Sequence, residues 1–283
     1  MTEIAIHRRE PAKRMGFFTD TTVCIGCKAC EVACKQWNDL PADPTPLEGR
    51  SYDYSGDLSA STWRHVHFVE LPPRHDDMDI VDWAADDGEP RWVFMSDVCK
   101  HCTNAGCLDA CPTGALIRTE FQTVVVQPDV CNGCGYCVPA CPFGVIDRDP
   151  YDGRAAKCTL CYDRLQDGME PACAKSCPTD SIQFGEWDDL VERARARIAT
   201  LHERGLERAY LYGIDDDPAD QLAGNLGSIF LLTEPPERFG LPAHADSPIQ
   251  EHVVRATTAG LAAAFTAVGA AIGAMLVAHR RRP

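Results

Sequence analysis

Regular hydrophobic patterning is confined to short, separated segments. Gly16–Val23 and Trp92–Val98 place apolar side chains at strand spacing, and each runs directly into a cysteine. Thr62–Leu71 alternates, with Val66 and Phe68 on one face and His65 and His67 on the other, which predicts another strand. Ala115–Glu120 and Thr123–Gln127 read as a hairpin turning at Phe121-Gln122. Glu31–Ala33 and Leu108–Ala110 leave room for one helical turn each between cysteines. Glu186–Arg204 carries the clearest soluble-helix stripe, Leu190, Val191, Ala194, Ile198 and Leu201, with Gly205 as its stop. Pro41–Pro46 is a break inside an insertion covering residues 35–98.

The patterning changes at the C-terminal end. Ala256–Ala278 is a 23-residue run without a charge. As a helix it spans about 35 Å, enough for a bilayer core. It is rich in Ala and Gly rather than Leu, and a buried core helix is the competing reading. The basic cluster Arg280, Arg281 and Arg282 directly after the run favours the membrane, and Gly269 and Gly273 form a small-xxx-small step that lets another helix pack closely. At the other end, Arg8-Arg9 is followed by no apolar stretch, so no cleavable signal is expected.

The net charge of −15 argues against a nucleic-acid binder. Four of the 27 lysines and arginines lie after Glu251 but none of the 42 acids does, so residues 1–252 carry −19. Such a surface suits both solvation and docking to basic patches on protein partners.

The 16 cysteines alter the picture most, because all of them fall into four groups of four. Group one is Cys24, Cys27, Cys30 and Cys34. Group two is Cys99, Cys102, Cys107 and Cys111, group three is Cys131, Cys134, Cys137 and Cys141, and group four is Cys158, Cys161, Cys173 and Cys177. Group three, ending Cys141-Pro142, has every spacing of the bacterial ferredoxin run. Three thiolates within seven residues wrap one face of a cubic cluster, while the cysteine before proline is turned away to serve a second cluster. Group two has a longer second gap containing Gly106. Group one has Lys35 where the proline would stand, and group four separates Cys161 from Cys173 by eleven residues. Disulfides require no such spacing. Zinc remains open at group four, whose two cysteine pairs also suit a tetrahedron.

The wording of the motifs is similar to a known family. Cys24-Ile25-Gly26-Cys27-Lys28-Ala29-Cys30 through Cys34-Lys35-Gln36-Trp37-Asn38-Asp39, Lys100-His101-Cys102, Cys134-Gly135-Tyr136-Cys137, Pro142-Phe143-Gly144, Lys157–Cys161 and Glu170–Cys173 resemble the iron–sulfur subunits of membrane-bound formate dehydrogenases, among the polyferredoxin subunits of molybdopterin oxidoreductases. The resemblance runs from about residue 16 to 186. It implies an α+β fold of tandem bacterial-ferredoxin-like modules with insertions, plus a single C-terminal transmembrane helix. Residues 1–98 with 150–186 would form the first module (groups one and four) and 99–149 the second (groups two and three). A soluble extension at 187–252, the helix at 253–279 and a basic tail at 280–283 would follow.

The resemblance further implies four 4Fe–4S clusters. Their ligands would be Cys24, Cys27, Cys30 and Cys177; Cys34, Cys158, Cys161 and Cys173; Cys99, Cys102, Cys107 and Cys141; and Cys111, Cys131, Cys134 and Cys137. The last two sets also follow from ferredoxin motif logic, whereas the first two lean on the family. Its partners would be a molybdenum- or tungsten-pterin catalytic subunit that oxidises formate, a membrane cytochrome b that reduces quinone, and membrane lipid. A hydrogenase or a sulfur-compound or sulfoxide reductase is the alternative setting, and a zinc-stapled assembly protein the alternative class. No substrate chemistry is expected within the chain. His101, Trp37, Lys35, Lys100, Lys157 and Lys175 stand near ligands, the histidine and tryptophan reading first as packing or surface residues and the lysines as possible offsets to cluster charge. Positive-inside bias places the C-terminus in the cytoplasm and the cluster domain outside it.

Overall fold

The computed structural model describes residues 13–42, 53, 55–71, 91–217 and 221–280. The Arg8-Arg9 pair, most of Pro41–Pro46 and Arg281–Arg282 lie outside these residues. In sequence order the strands are β1 (Met15–Asp20), β2 (Arg64–Leu71), β3 (Arg91–Val98), β4 (Leu116–Arg118), β5 (Val124–Val126), β6 (Asp147–Arg148), β7 (Ala155–Ala156), β8 (Ile182–Glu186), β9 (Tyr210–Tyr212) and β10 (Ser228–Leu232). The α-helices are α1 (Ala29–Trp37), α2 (Gly106–Asp109), α3 (Tyr162–Gln166), α4 (Ala172–Lys175), α5 (Trp187–Glu203) and α6 (Pro248–Arg280).

A four-stranded sheet in the order β8-β1-β10-β9 organises the molecule. Its inner strand β1 pairs antiparallel with β8, Thr19 facing Ile182, and parallel with β10, Phe17 facing Ser228. Successive side chains of a strand point to opposite faces. Phe18 accordingly joins Ile229 and Leu231 beneath Leu190, Ala194 and Leu201 of α5, while Phe17 joins Phe230 and Leu232 in the core that contains Cys30, Cys99, Cys158 and Cys173. The sheet therefore has a helix on one face and the cysteine loops on the other. Residues after 186 share this sheet with the N-terminal strand β1.

α5 ends as its sequence predicts. Gly205 (φ 86°) donates to the His202 carbonyl, and Leu206 donates to the Leu201 carbonyl. These are the two bonds of a Schellman stop, which requires the left-handed conformation that glycine takes readily. Arg197 of α5 donates through Nε to Asp20 at 2.7 Å, tying the helix to the end of β1.

The remaining strands form two-stranded pairs. β2 and β3 pair antiparallel over eight positions, Arg64 opposite Val98. Arg64, His65 and Val66 are all buried, so both faces of β2 are covered at this end. β4 and β5 form the predicted hairpin, shorter than expected; Thr119 and Thr123 close it, and Gln122 takes a positive φ.

α6 starts eight residues before the charge-free run. Its root is held by α2: Ser247 Oγ and Gln250 Nε2 both donate to Asp109 Oδ2, at 2.8 and 2.9 Å. Pro248–Met275 has a mean hydropathy of 1.6 over its most apolar window, which is 0% buried. By length and composition it is a candidate membrane span. Gly269 and Gly273 have no described atom within 4 Å of where a side chain would begin.

Candidate metal centres

The four cysteine groups share a backbone device that their sequences only half reveal. In the first Cys-x-x-Cys of each group the residue before the second cysteine has a left-handed φ: Gly26 (65°), His101 (43°), Gly133 (73°) and Leu160 (59°). This reversal brings two thiols to the same side of the backbone. For a residue other than glycine it costs about 1–2 kcal/mol, so His101 and Leu160 hold strain that packing must offset. Three Cys-Pro steps turn alike two residues after the proline, at Gly114 (69°), Gly144 (62°) and Asp180 (51°). The exception is Cys34. With Lys35 in place of proline the helix does not stop, and α1 runs nine residues to Trp37 instead of the single turn expected.

The thiols converge on four cavities. Cys24, Cys27, Cys30 and Cys177 line the first, of about 290 Å³. Cys34, Cys158, Cys161 and Cys173 line the second, of about 250 Å³. The third, of about 350 Å³, is lined by Cys99, Cys102, Cys107 and Cys141. Cys111, Cys131, Cys134 and Cys137 line the fourth, of about 300 Å³. None of the sixteen cysteines is in a disulfide. Group four does not close on itself: Cys177 stands in the first cavity and its three companions in the second. Among the described residues no three cysteine, histidine or carboxylate side chains gather on one point as a single ion needs. Four thiols spaced around a cavity suit a multi-iron cluster better than a zinc ion.

The sheet explains how distant cysteines meet. Cys24 follows β1 closely and Cys177 precedes β8, and these strands pair antiparallel at Thr19 and Ile182. Ser181 Oγ adds a bond to the Asp20 carbonyl at 2.8 Å. α4 packs on α1, with Ser176 Oγ donating to the Ala29 carbonyl at 3.3 Å. The third and fourth cavities need no such closure. Their cysteines lie between residues 99 and 141, around the β4–β5 hairpin.

The cavities form a series, recognisable from the side chains that connect the wall of one to the wall of the next. Ser96 lines the first cavity and contacts Cys30 Sγ at 3.2 Å; it also accepts from Arg64 Nη1 at 3.3 Å. Arg64 lines the second cavity, where its Nη2 donates to Cys173 Sγ at 3.2 Å. Lys157 lines the third cavity, donates to Cys99 Sγ at 3.5 Å and reaches the carbonyl of Cys158, a second-cavity residue, at 2.9 Å. Between the third and fourth cavities the wall is apolar, built of Ala105, Leu116, Val124 and Ile146 around Cys107, Cys137 and Cys141. In the second cavity all four cysteines are buried. Cys27 and Cys134, in the outermost cavities, are the exposed ones.

Burial disfavours bare thiolates here. It pushes Cys30 and Cys107 up to about 12, and Cys161 and Cys137 to about 11. Thiols so placed ionise when a cationic partner such as cluster iron is present. Two donors in the walls also have no acceptor among the described residues. One is Arg64 Nε. The other is His101 Nε2, whose ring accepts from the Val124 N–H at Nδ1 and so carries its proton on the free nitrogen. Cluster and cysteine sulfurs are acceptors, so both donors fit a loaded site.

Residues singled out by their position near ligands divide between the cavity walls and the surface. His101 and Lys157 are buried in cavity walls, and Lys100 is buried against Asp97. Lys35 instead ties down the following loop through the Pro41 and Ser61 carbonyls. Lys175 is exposed beside Glu170. Trp37 is 42% exposed, with Arg164 stacked 4.1 Å from its ring. Arg64 belongs to no cysteine motif. Its only sequence signal is a cation opening the alternating strand within the insertion.

Two family profiles, each described as a 4Fe-4S dicluster domain, match residues 23–115 and 90–187. The formate dehydrogenase iron-sulfur subunit of Haemophilus influenzae is 41% identical over 73% of this chain and 61% of its own length. The nitrate-inducible formate dehydrogenase iron-sulfur subunit of Escherichia coli is 40% identical over 75% of this chain and 66% of its own. The B subunit of the anaerobic dimethyl sulfoxide reductase of Escherichia coli is 36% identical over 62% of this chain and 75% of its own. This protein belongs to the family of 4Fe–4S iron–sulfur subunits. It spans roughly three fifths to two thirds of the formate dehydrogenase relatives it matches. Iron–sulfur electron transfer is the chemistry shared by the family, and the thiol-lined cavities are where this protein can hold the clusters.

Proposed function

We propose that this protein is a four-cluster electron relay in a formate-oxidising complex. The observation that carries the reading is the row of four cavities, each with its own four thiols and each joined to the next by side-chain bonds or packing. When bound, a 4Fe–4S cluster supplies one reversible electron at each position. The protein would supply the ligands, the spacing and the exclusion of water. Its ligand sets are Cys24, Cys27, Cys30 and Cys177; Cys34, Cys158, Cys161 and Cys173; Cys99, Cys102, Cys107 and Cys141; and Cys111, Cys131, Cys134 and Cys137. The subunit has no catalytic site of its own in this reading.

The ends of the row would face different partners. The α6 root is bonded to α2, whose Gly106 lines the third cavity, so the half of the row that ends in the fourth cavity is the half tied to the candidate span. The relay would therefore receive electrons beside the exposed Cys27, from a molybdenum- or tungsten-pterin subunit. It would pass them on beside the exposed Cys134, to a membrane cytochrome b that reduces quinone. The Arg280–Arg282 cluster supports a cytoplasmic C-terminus and a cluster domain on the extracytoplasmic side. α6 would meet lipid and, through Gly269 and Gly273, a partner helix. Groups one and four would form one ferredoxin-like module and groups two and three the other.

Formate added to membranes containing the complex should bleach the cluster absorbance around 400 nm, on the order of the full dithionite-reducible signal. Bleaching by a sulfur compound couple or by hydrogen, with formate inert, would move the relay to another complex. The likeness to the dimethyl sulfoxide reductase subunit makes that the second reading. Identification of the co-purifying catalytic subunit separates the two.

A further inference from the structure

Two buried cations stand at two of the three junctions in the row. Arg64 is 1% exposed and has no carboxylate partner among the described residues. Its guanidinium joins Ser96, itself in contact with Cys30 of the first cavity, to Cys173 of the second. Phe17 lies under it at 4.6 Å. Lys157 is likewise 1% exposed. Its ammonium is held by the Val124 and Cys158 carbonyls, within 3.5 Å of Cys99 Sγ. A buried cation without a counter-carboxylate is strongly unfavourable unless another negative charge compensates it. The negative charges within reach belong to the cysteines of two adjacent cavities. The third junction contrasts with these two, because its wall is aliphatic.

We propose that Arg64 and Lys157 are potential-setting residues shared by adjacent clusters, Arg64 by the first and second and Lys157 by the second and third. The proposal rests on the four-cluster reading. A reduced cluster carries one more negative charge than an oxidised one, and a cation close by stabilises that state. Each cation thus raises the midpoint potentials of the two clusters it touches. The second cluster, touched by both, is raised twice, and the fourth not at all.

The test is an EPR-monitored redox titration of the full cluster-loaded protein isolated in its membrane complex, with iron content measured on each sample. Arg64→Met and Lys157→Met should each lower the midpoint potential of two clusters. One of those clusters should move in both variants, and a fourth should move in neither. Arg195→Met, on α5 in an exposed pair with Asp216 of the loop after β9, should move none. Variants with full iron and unchanged potentials would overturn the proposal, and so would an equal shift of all four clusters. If the neutral variants lose iron, Arg64→Gln and Lys157→Gln retain a buried donor and are titrated in their place. Loss of iron from these as well, but not from Arg64→Lys and Lys157→Arg, would make the cations assembly determinants and also overturn it. The iron content of the unsubstituted protein judges the four-cluster reading separately, since the overlap between the two variants' shifts does not depend on that total.

Discussion

The two ends of the row are built on different principles. The third and fourth cavities draw every cysteine from one continuous stretch and close around a short hairpin. The first and second join residues 24–34 to residues 158–177, and the backbone reaches across that gap only because β1 pairs with β8 and α1 packs on α4. One end is a local motif; the other is a consequence of tertiary structure. Loop-closure entropy must be met before a long-range site forms, so the first end depends on the sheet in a way the second does not.

Removing sheet support should separate the ends most clearly. Phe17 is fully buried between the sheet and the second cavity. Phe17→Ala should destabilise the loaded protein by about 3–5 kcal/mol. In rising denaturant the clusters of the first two cavities should bleach before the others, as followed by absorbance and iron release. Simultaneous loss from all four would break the comparison.

A smaller effect is expected inside the motifs. A side chain on Gly26 (φ 65°) would begin 2.8 Å from the Phe94 ring, so Gly26→Ala should cost about 3 kcal/mol and lower iron content by up to one cluster's worth. Gly114 (φ 69°) opens on empty space, and Gly114→Ala should cost only about 1 kcal/mol with iron retained. Urea denaturation with iron analysis compares the two.

This division also explains what can be read from the sequence. Groups two and three are legible because a local run of thiols and a Cys-Pro turn specify their own geometry. Groups one and four are not, since nothing in Cys24–Cys34 indicates that Cys177 will arrive through a strand register. Lys35 lengthens α1 for a reason plain from the missing proline. Leu160 and His101 take left-handed conformations that their side chains disguise, and Arg64 becomes significant only once the fold places it between two cavities. The segment after 186 reads as an appendage because β9 and β10 are short strands, and β10 finds its partner β1 some two hundred residues earlier.

Two milder changes sharpen the contrast. Arg197→Met removes the donor to the buried Asp20 at the end of β1 and should cost about 2 kcal/mol, read by thermal unfolding, with the first cavity loosening before the fourth. Asp180→Gly gives the first-cavity turn the residue that Gly114 and Gly144 already provide in the other half. Asp180 is exposed, with φ 51°, so relief of strain should stabilise the fold by about 0.5 kcal/mol. No gain would mean that the Cys-Pro turns of the two halves are not equivalent.

The central claim is that four thiol-lined cavities hold four clusters. Iron and acid-labile sulfide analysis of the anaerobically purified full-length protein tests it directly. The account predicts about sixteen of each per molecule, or about four 4Fe–4S equivalents. About four of each, or stoichiometric zinc without sulfide, would contradict it.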